Sequence, residues 1–463
     1  MKTMAIASVN PYSGEVLQTF TPLTEAELAA KLAQAATGWD TYRSWSITQR
    51  AAGLHRLAEQ LQQERETWAR TMTLEMGKPI QAALAEVDKS AWVCRYYAEQ
   101  GAEWLQDRAG PLERLPDGSV AQTWVRRQPL GIILAVMPWN FPFWQVFRCL
   151  APALMAGNAL LLKHASNVPQ SALGIEQLVR QAGFPPGVMQ TLLIESHRVA
   201  QVVADPRIKA ATLTGSEAAG MALAAAAGRA LKKTVLELGG SDPLIVLPSA
   251  DLKAAAATAV TARMLNNGQS CIAAKRFILH QNIAPALIEE LITRFQALKM
   301  GDPLDPNTEL GPLATPALRD ELHQQVTQMV NAGAQVLCGG QIPPGAGSFY
   351  PPTLLTHLPP GARNIEFFGP VALIYTVPDL DTAISVANDS PFGLGASAWT
   401  RDPQEQQRLL TELESGAVFI NGMVRSDPRL PFGGIKQSGY GRELGEWGLL
   451  EFVNLKTLWV KES

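Results

Sequence analysis

Leu130-Gly131-Ile132-Ile133-Leu134-Ala135-Val136-Met137 is a continuous apolar run of the kind buried on both faces of a parallel sheet. Similar runs follow at Ala159 to Leu162, Ala210 to Leu213, Thr234 to Leu238 and Leu244 to Leu247. Helical patterns near 144–156, 169–182 and 217–231 separate them. Strand and helix in alternation predict a doubly wound α/β fold, in which ligands bind at the carboxyl ends of the strands. The alternation continues with a helix from Asp251 to Leu265, a strand at 276–279, helices at 283–298 and 315–333, a strand at 371–377, a helix at 380–388 and a strand at 417–420. The Gly- and Pro-rich stretch Gly339 to Pro352 reads as a surface loop.

Upstream of the run, Asn10-Pro11-Tyr12-Ser13-Gly14 reads as a turn, and Thr24 caps a first helix. One long helix is expected from Ile47 to Glu75, opened by a Ser46/Gln49 capping box and stopped at Met76-Gly77-Lys78-Pro79. Another is expected from Ile80 to Leu105. Leu and Ala at spacings of three and four give both helices a buried stripe, with charges on the far face, and mark them as scaffold. Ser119 to Arg127 alternates like an exposed strand, and Phe452 to Val460 is a second short strand-like piece.

At 463 residues the chain exceeds one core and should form two or three domains. Its apolar fraction of 47% and charged fraction of 17% are those of a globular protein. A net charge of −3 and a pI near 6.1 give no field for nucleic acid or an anionic membrane. No stretch reaches the ~18 uninterrupted apolar residues of a membrane helix, and MKTMAIASVNPYSG lacks the apolar run of a signal peptide, so a cytoplasmic location is expected. Cys94, Cys149, Cys271 and Cys338 are far apart, which suggests neither a disulfide framework nor a zinc site, and no metal is expected.

Chemistry collects where strands end. Cys271 closes the polar turn Asn266-Asn267-Gly268-Gln269-Ser270, a setting that suits a thiolate nucleophile, although a free cysteine is more often a small buried hydrophobe. Asn140, in Pro138-Trp139-Asn140-Phe141-Pro142, can donate to an oxyanion or simply turn the chain. Lys163 is either an ordinary strand-end lysine or a partner for ribose or phosphate oxygens. Thr214-Gly215-Ser216 opens a helix straight after a strand, where a pyrophosphate can approach. Glu237, before Gly239-Gly240, is a solvated strand end or a general base.

Taken together, PWNFP (138–142), Lys163, TGS (214–216), ELGG (237–240), GQSC (268–271), EFFGPV (366–371) and PFGGIKQSGYGRE (431–443) resemble the aldehyde dehydrogenase superfamily, in family order and spacing from about residue 9 to 460. The combination is most similar to the bacterial succinate-semialdehyde dehydrogenases. The resemblance implies an α/β, aldehyde dehydrogenase-like fold. A doubly wound dinucleotide-binding domain would comprise 1–117 and 130–238, and an α/β catalytic domain 239–431. A small β oligomerisation arm of 118–129 and 445–463 would pair subunits into a homodimer or tetramer.

It also implies roles. Cys271 would attack the aldehyde carbon, with Asn140 and the Cys271 backbone N–H holding the oxyanion, and Glu237 would activate the water that hydrolyses the thioester. Met137, Trp139, Lys163, Ser166, Gly215, Ser216, Leu238, Glu366 and Phe368 would hold the cofactor. Many NAD-dependent relatives carry Glu where this chain has Ser166, and a serine does not repel a 2′-phosphate, which favours NADP over NAD. The segment Gly361 to Glu366 is about two residues shorter than in close relatives.

Arg148, eight positions after Asn140, matches an arginine of the succinate-semialdehyde enzymes and suits a substrate carboxylate, unless it is salt-bridged on its helix. Ser426, Arg425 and Arg263 are further substrate-side candidates. The expected activity is therefore oxidation of succinic semialdehyde to succinate. The alternatives are a broad-range non-acylating aldehyde dehydrogenase, a CoA-acylating enzyme, against which Glu237 argues, and a structural protein that has lost its chemistry.

Overall fold

The computed structural model describes residues 6–461, so the outermost ends of the predicted domain ranges and the first five residues of the leader reading lie outside it. Its first large sheet has six strands in the order Gly439–Tyr440, Lys233–Glu237, Ile208–Thr214, Ile132–Met137, Ala159–His164, Met189–Thr191. All neighbours are parallel except Gly439–Tyr440, which pairs antiparallel with Lys233–Glu237. The opening run is central, and its alternate side chains serve two cores. Ile133 and Ala135 pack with Tyr97 and Phe147, while Ile132 and Leu134 pack with Leu28 and Leu223 on the other face. Burying each such Ile or Leu contributes about 1.5–3 kcal/mol, so a polar residue anywhere in the run would damage one core or the other.

Strand order reverses beside Ile132–Met137, so that the chain leaves this strand to one side and Ile208–Thr214 to the other. A crevice opens beyond the carboxyl ends of strands at such a point. Pro138-Trp139-Asn140 and Gly215-Ser216 stand there because they directly follow those two strands.

The second large sheet has seven strands: Gln335–Cys338, Thr353–Thr356, Val371–Val377, Arg276–His280, Pro243–Val246, Gly395–Trp399 and Ala417–Ile420. Only Gln335–Cys338 runs antiparallel to its neighbour. A third, antiparallel sheet joins Val453–Lys461 to Val120–Pro129, from Val453 opposite Pro129 to Lys461 opposite Ala121. The predicted arm and tail are thus partners within one chain, and Val453–Lys461 forms the sheet's outer edge.

Local signals act where expected. Thr24 caps Glu25–Tyr42 with Glu27 in a capping box, and Ser46 with Gln49 does the same for Ile47–Gln63. The single helix expected from Ile47 to Glu75 is two, Ile47–Gln63 and Arg65–Met76, because Glu64 takes φ −101° and ψ 18°. Arg65 then binds Asp88 at 2.7 Å and fixes the new direction against the following helix, Ile80–Trp104. The strands Met189–Thr191, Gln335–Cys338, Thr353–Thr356 and Gly395–Trp399 add to those read from the sequence. Among the described residues, no helix is long and apolar enough to cross a membrane.

Candidate active site

The turn carrying Cys271 is held in a conformation that few residues adopt. Asn266 (φ 55°), Asn267 (φ 60°) and Gly268 (φ 73°) are all left-handed, which Asn and Gly tolerate at least cost. A Cβ on Gly268 would collide with the backbone of Gly369 and Pro370. The side chains of the turn anchor it in return. Asn267 donates to the carbonyls of Gly77 and Pro312 at 3.0 Å each and accepts from Gly311 N–H at 2.9 Å. Gln269 accepts from Ala314 N–H at 2.9 Å, and Asn266 donates to the Asn140 carbonyl at 2.7 Å.

Arg263 belongs to the same brace. Its fully buried guanidinium donates to the carbonyls of Gly268 (3.0 Å), Phe367 (2.9 Å) and Gly369. Read from the sequence as a substrate-side candidate, it stands in this brace and not on a cavity wall. Nη2 is spent on backbone, and although Nε and Nη1 have no hydrogen-bond partner among the described residues, Arg263 lines neither cavity at Cys271.

Cys271 is half-buried at the meeting point of two cavities. One is a cleft of about 560 Å³ lined by Trp139, Asn140, Gly215, Ser216, Leu238, Glu366 and Phe368. The other is a narrower, largely apolar cavity of about 240 Å³ lined by Phe141, Trp144, Arg148, Arg425, Ser426 and Phe432, among others. Burial pushes the Cys271 thiol up to about 12, with Lys275 and then Arg148 pulling it back. Lys275 donates to the carbonyls of Cys271 (2.6 Å) and Ser270 (2.7 Å) and pairs with Glu366 at 3.0 Å. Glu366 also accepts from Gly240 N–H at 3.1 Å and lines the cleft.

Asn140 is buried with Nδ2 on the Gln269 carbonyl at 3.0 Å. That leaves a second amide hydrogen on the cleft wall it shares with Cys271. Glu237 is buried, and neither carboxyl oxygen has a hydrogen-bond partner among the described residues. Burial, reinforced by Glu443, raises its pKa well above the ordinary carboxyl value, against the opposing pull of Arg148 and Arg442. The carboxyl packs beside Gly433 and lines neither cavity.

A helix N-terminus opens onto the cleft, with a buried lysine on a neighbouring strand end. Ser216 caps Glu217–Arg229 through Ala219 N–H at 3.4 Å, so the positive end of that helix faces the cleft. Lys163 is only 8% exposed and has no hydrogen-bond or ion-pair partner among the described residues. Burial lowers its pKa, a cost that an incoming anion would offset. Met137 and Lys163 lie on adjoining strand ends and Ser166 in the turn that follows Lys163's strand, none of them on the cleft wall itself. Neighbouring His164 donates from Nε2 to the Pro142 carbonyl at 2.9 Å, and burial drives its pKa down to about 4, which keeps it neutral.

Three charged residues at or behind the wall of the apolar cavity were not singled out in the sequence: Glu86 and Lys89 on the wall, and Glu443 behind Arg148. Glu443 forms a buried ion pair with Arg148, whose Nη2 also donates to Thr214 at 3.2 Å. Lys89 projects from Ile80–Trp104 onto Ser426 at 2.8 Å. That helix was expected to be scaffold, yet Ala82, Ala85, Glu86 and Lys89 form one stripe on the cavity wall. Two charges on an i, i+3, i+4, i+7 stripe were the signal to follow.

The aldehyde dehydrogenase family model matches residues 1–458. The probable succinate-semialdehyde dehydrogenase [NADP(+)] of Synechocystis sp. is 56% identical over 459 residues, covering 99% of this chain and 100% of the relative. Succinate-semialdehyde dehydrogenase [NADP(+)] 1 of Mycobacterium ulcerans is 52% identical over 460 residues, with the same coverage. The crystal structure of succinic semialdehyde dehydrogenase from Streptococcus pyogenes with NADP+ superposes with a TM-score of 0.95 at 38% identity, covering 98% of this chain and 100% of that one.

Proposed function

This chain belongs to the aldehyde dehydrogenase family, and from that premise we propose that it oxidises succinic semialdehyde to succinate with NADP+. The observation that carries the reading is the position of Cys271, between a nucleotide-sized cleft and an apolar cavity with basic residues on its wall. The overall reaction takes aldehyde, water and NADP+ to carboxylate, NADPH and protons.

Cys271 attacks the aldehyde carbon, and the tetrahedral oxyanion falls to Asn140 Nδ2 and the Cys271 backbone N–H. NADP+, when bound, supplies the acceptor for the hydride that leaves this carbon. Lys163, Ser216 and Glu366 hold the cofactor, with Trp139, Gly215, Leu238 and Phe368 shaping its cleft. Trp139 and Phe368 brace one another edge to face at 5.7 Å. Ser166, three positions after Lys163 and free of negative charge, admits the 2′-phosphate. Glu237 then withdraws a proton from the water that cleaves the Cys271 thioester; its raised pKa suits a base that must both take and release a proton.

In this reading 1–117 and 130–238 bind the dinucleotide, 239–431 carry the chemistry, and 118–129 with 445–463 form the arm. Leu455, Trp459 and Val460 are exposed on the arm's edge strand, an unpaired edge that a second copy would cover in a homodimer or tetramer.

The Arg148–Glu443 pair favours one alternative, a broad-range aldehyde dehydrogenase, because Arg148's charge is already compensated. Steady-state oxidation of succinic semialdehyde and of butanal, followed by the absorbance of the reduced nicotinamide, separates the two. A clear preference in kcat/KM for the charged aldehyde is expected, and equal values would leave only the broad-range enzyme.

A further inference from the structure

The apolar cavity holds more positive charge than its own acids neutralise. Arg148 is paired with Glu443. Glu86 is paired with Lys78, and its other oxygen accepts from Phe143 N–H (2.9 Å) and Trp144 N–H (3.0 Å). Asp427, just beyond the wall, is bound by Arg429 through two contacts at 2.9 and 2.7 Å. Lys89 alone among the inner cations has no acid in ion-pair reach among the described residues. Arg425, also on the wall, is exposed at its rim.

Lys89 is nevertheless held firmly. Its ammonium stands 4.2 Å from the centre of the Trp144 ring and donates to Ser426 Oγ at 2.8 Å. Trp144 Nε1 donates to the same oxygen at 3.1 Å. Ser426 therefore accepts twice, which leaves its hydroxyl proton as a donor to a third group. Two further N–H bonds of Lys89 are also unspent. Ammonium and hydroxyl together offer donors, and no acceptor, to whatever enters the cavity. Burial lowers the Lys89 pKa to about 8, the cost of a cation waiting for its partner.

We propose that Lys89, with Ser426 oriented by it, is the group that selects the substrate's carboxylate, while Arg148 is a compensated wall residue. This inference rests on the reading of the substrate as an aldehyde with a carboxylate at its far end. It assigns selectivity to a residue on the helix Ile80–Trp104, away from Cys271's own turn.

The test compares wild type, Lys89→Met and Lys89→Arg with succinic semialdehyde and butanal, and measures succinate as a competitive inhibitor. In Lys89→Met the ratio of kcat/KM for the charged over the neutral aldehyde should fall at least about tenfold, mostly through KM, and succinate inhibition should weaken in step. Lys89→Arg, which keeps the charge, should recover much of the ratio. A Lys89→Met enzyme whose ratio stays within about twofold of wild type, or which loses both aldehydes in parallel, overturns the proposal. A wild-type enzyme with no preference for succinic semialdehyde overturns the substrate reading itself, an outcome visible before any variant is made.

Discussion

Arg148 and Glu443 form an ion pair sealed from solvent, and Glu443 in turn raises the pKa of Glu237, so the cavity wall and the proposed base share one buried charge cluster. Removing one partner of such a pair strands the other charge at a cost of about 3–5 kcal/mol. Arg148→Ala should therefore lower the unfolding free energy by about that amount and depress turnover of charged and neutral aldehydes alike. Adding Glu443→Gln should restore much of the stability. Urea unfolding of the single and double variants measures the coupling, and independent, additive losses would show that the two groups do not depend on each other.

Glu237 lines neither cavity, and the task proposed for it is the hydrolysis that follows hydride transfer. Cys271→Ala should lose all turnover yet still bind NADP+. Glu237→Gln should give a stoichiometric burst of reduced cofactor and then stall, with steady-state turnover down about 10²-fold or more, because the amide cannot take a proton from water. Stopped-flow absorbance separates burst from steady state. Full steady-state turnover in Glu237→Gln would remove the residue from the hydrolytic step.

How much of this was legible depended on where each signal resides. The parallel strands could be read because burial on both faces leaves an unbroken apolar run, as at Ile132–Met137. Gly395–Trp399 could not, because Gly-Ala-Ser-Ala carries little hydrophobic pattern and is made a strand by its neighbours on both sides. The break at Glu64 has neither glycine nor proline to announce it. Asn140 and Glu237 stood out because each follows or ends a strand within a compact motif, and Cys271 because it closes a polar turn between a helix and a strand. Lys89 did not, since its meaning lies in Ser426, 337 positions away, and in the pairing of every nearby acid with something else.

Cofactor choice turns on the end of the strand Ala159–His164. Lys163 is a cation with no hydrogen-bond or ion-pair partner among the described residues, and Ser166 follows in the turn, its carbonyl tied to Ala7 N–H at 3.0 Å. A carboxylate at position 166 would repel a 2′-phosphate and accept from the hydroxyls of an unphosphorylated ribose. Ser166→Glu should shift the ratio of kcat/KM for NADP+ over NAD+ by at least about tenfold toward NAD+. Titration of both cofactors under one set of conditions measures it, and an unchanged ratio would place Ser166 away from the ribose.

The titration of Lys89 gives the proposal about it a pH signature. Desolvation is the main cause of its lowered pKa, about 8; Arg148 and Arg425 push the same way, and Asp427 and Glu86 oppose them. A lysine whose pKa is depressed carries its charge below that value and loses it as pH rises through it. The charged aldehyde should thus be favoured fully below about pH 7. Its advantage over butanal should fall as pH passes 8, approaching tenfold per pH unit until it reaches the ratio of Lys89→Met. The thiol of Cys271 and the carboxyl of Glu237 also titrate, but both aldehydes use them equally, so they cancel in the ratio. In Lys89→Arg the guanidinium stays charged throughout this range, and the ratio should be flat. Profiles of kcat/KM from pH 6 to 10 for both aldehydes report the free enzyme's groups directly. A wild-type ratio as flat as that of Lys89→Arg would mean that the substrate's carboxylate is held by a charge that does not titrate there, which returns the task to Arg148.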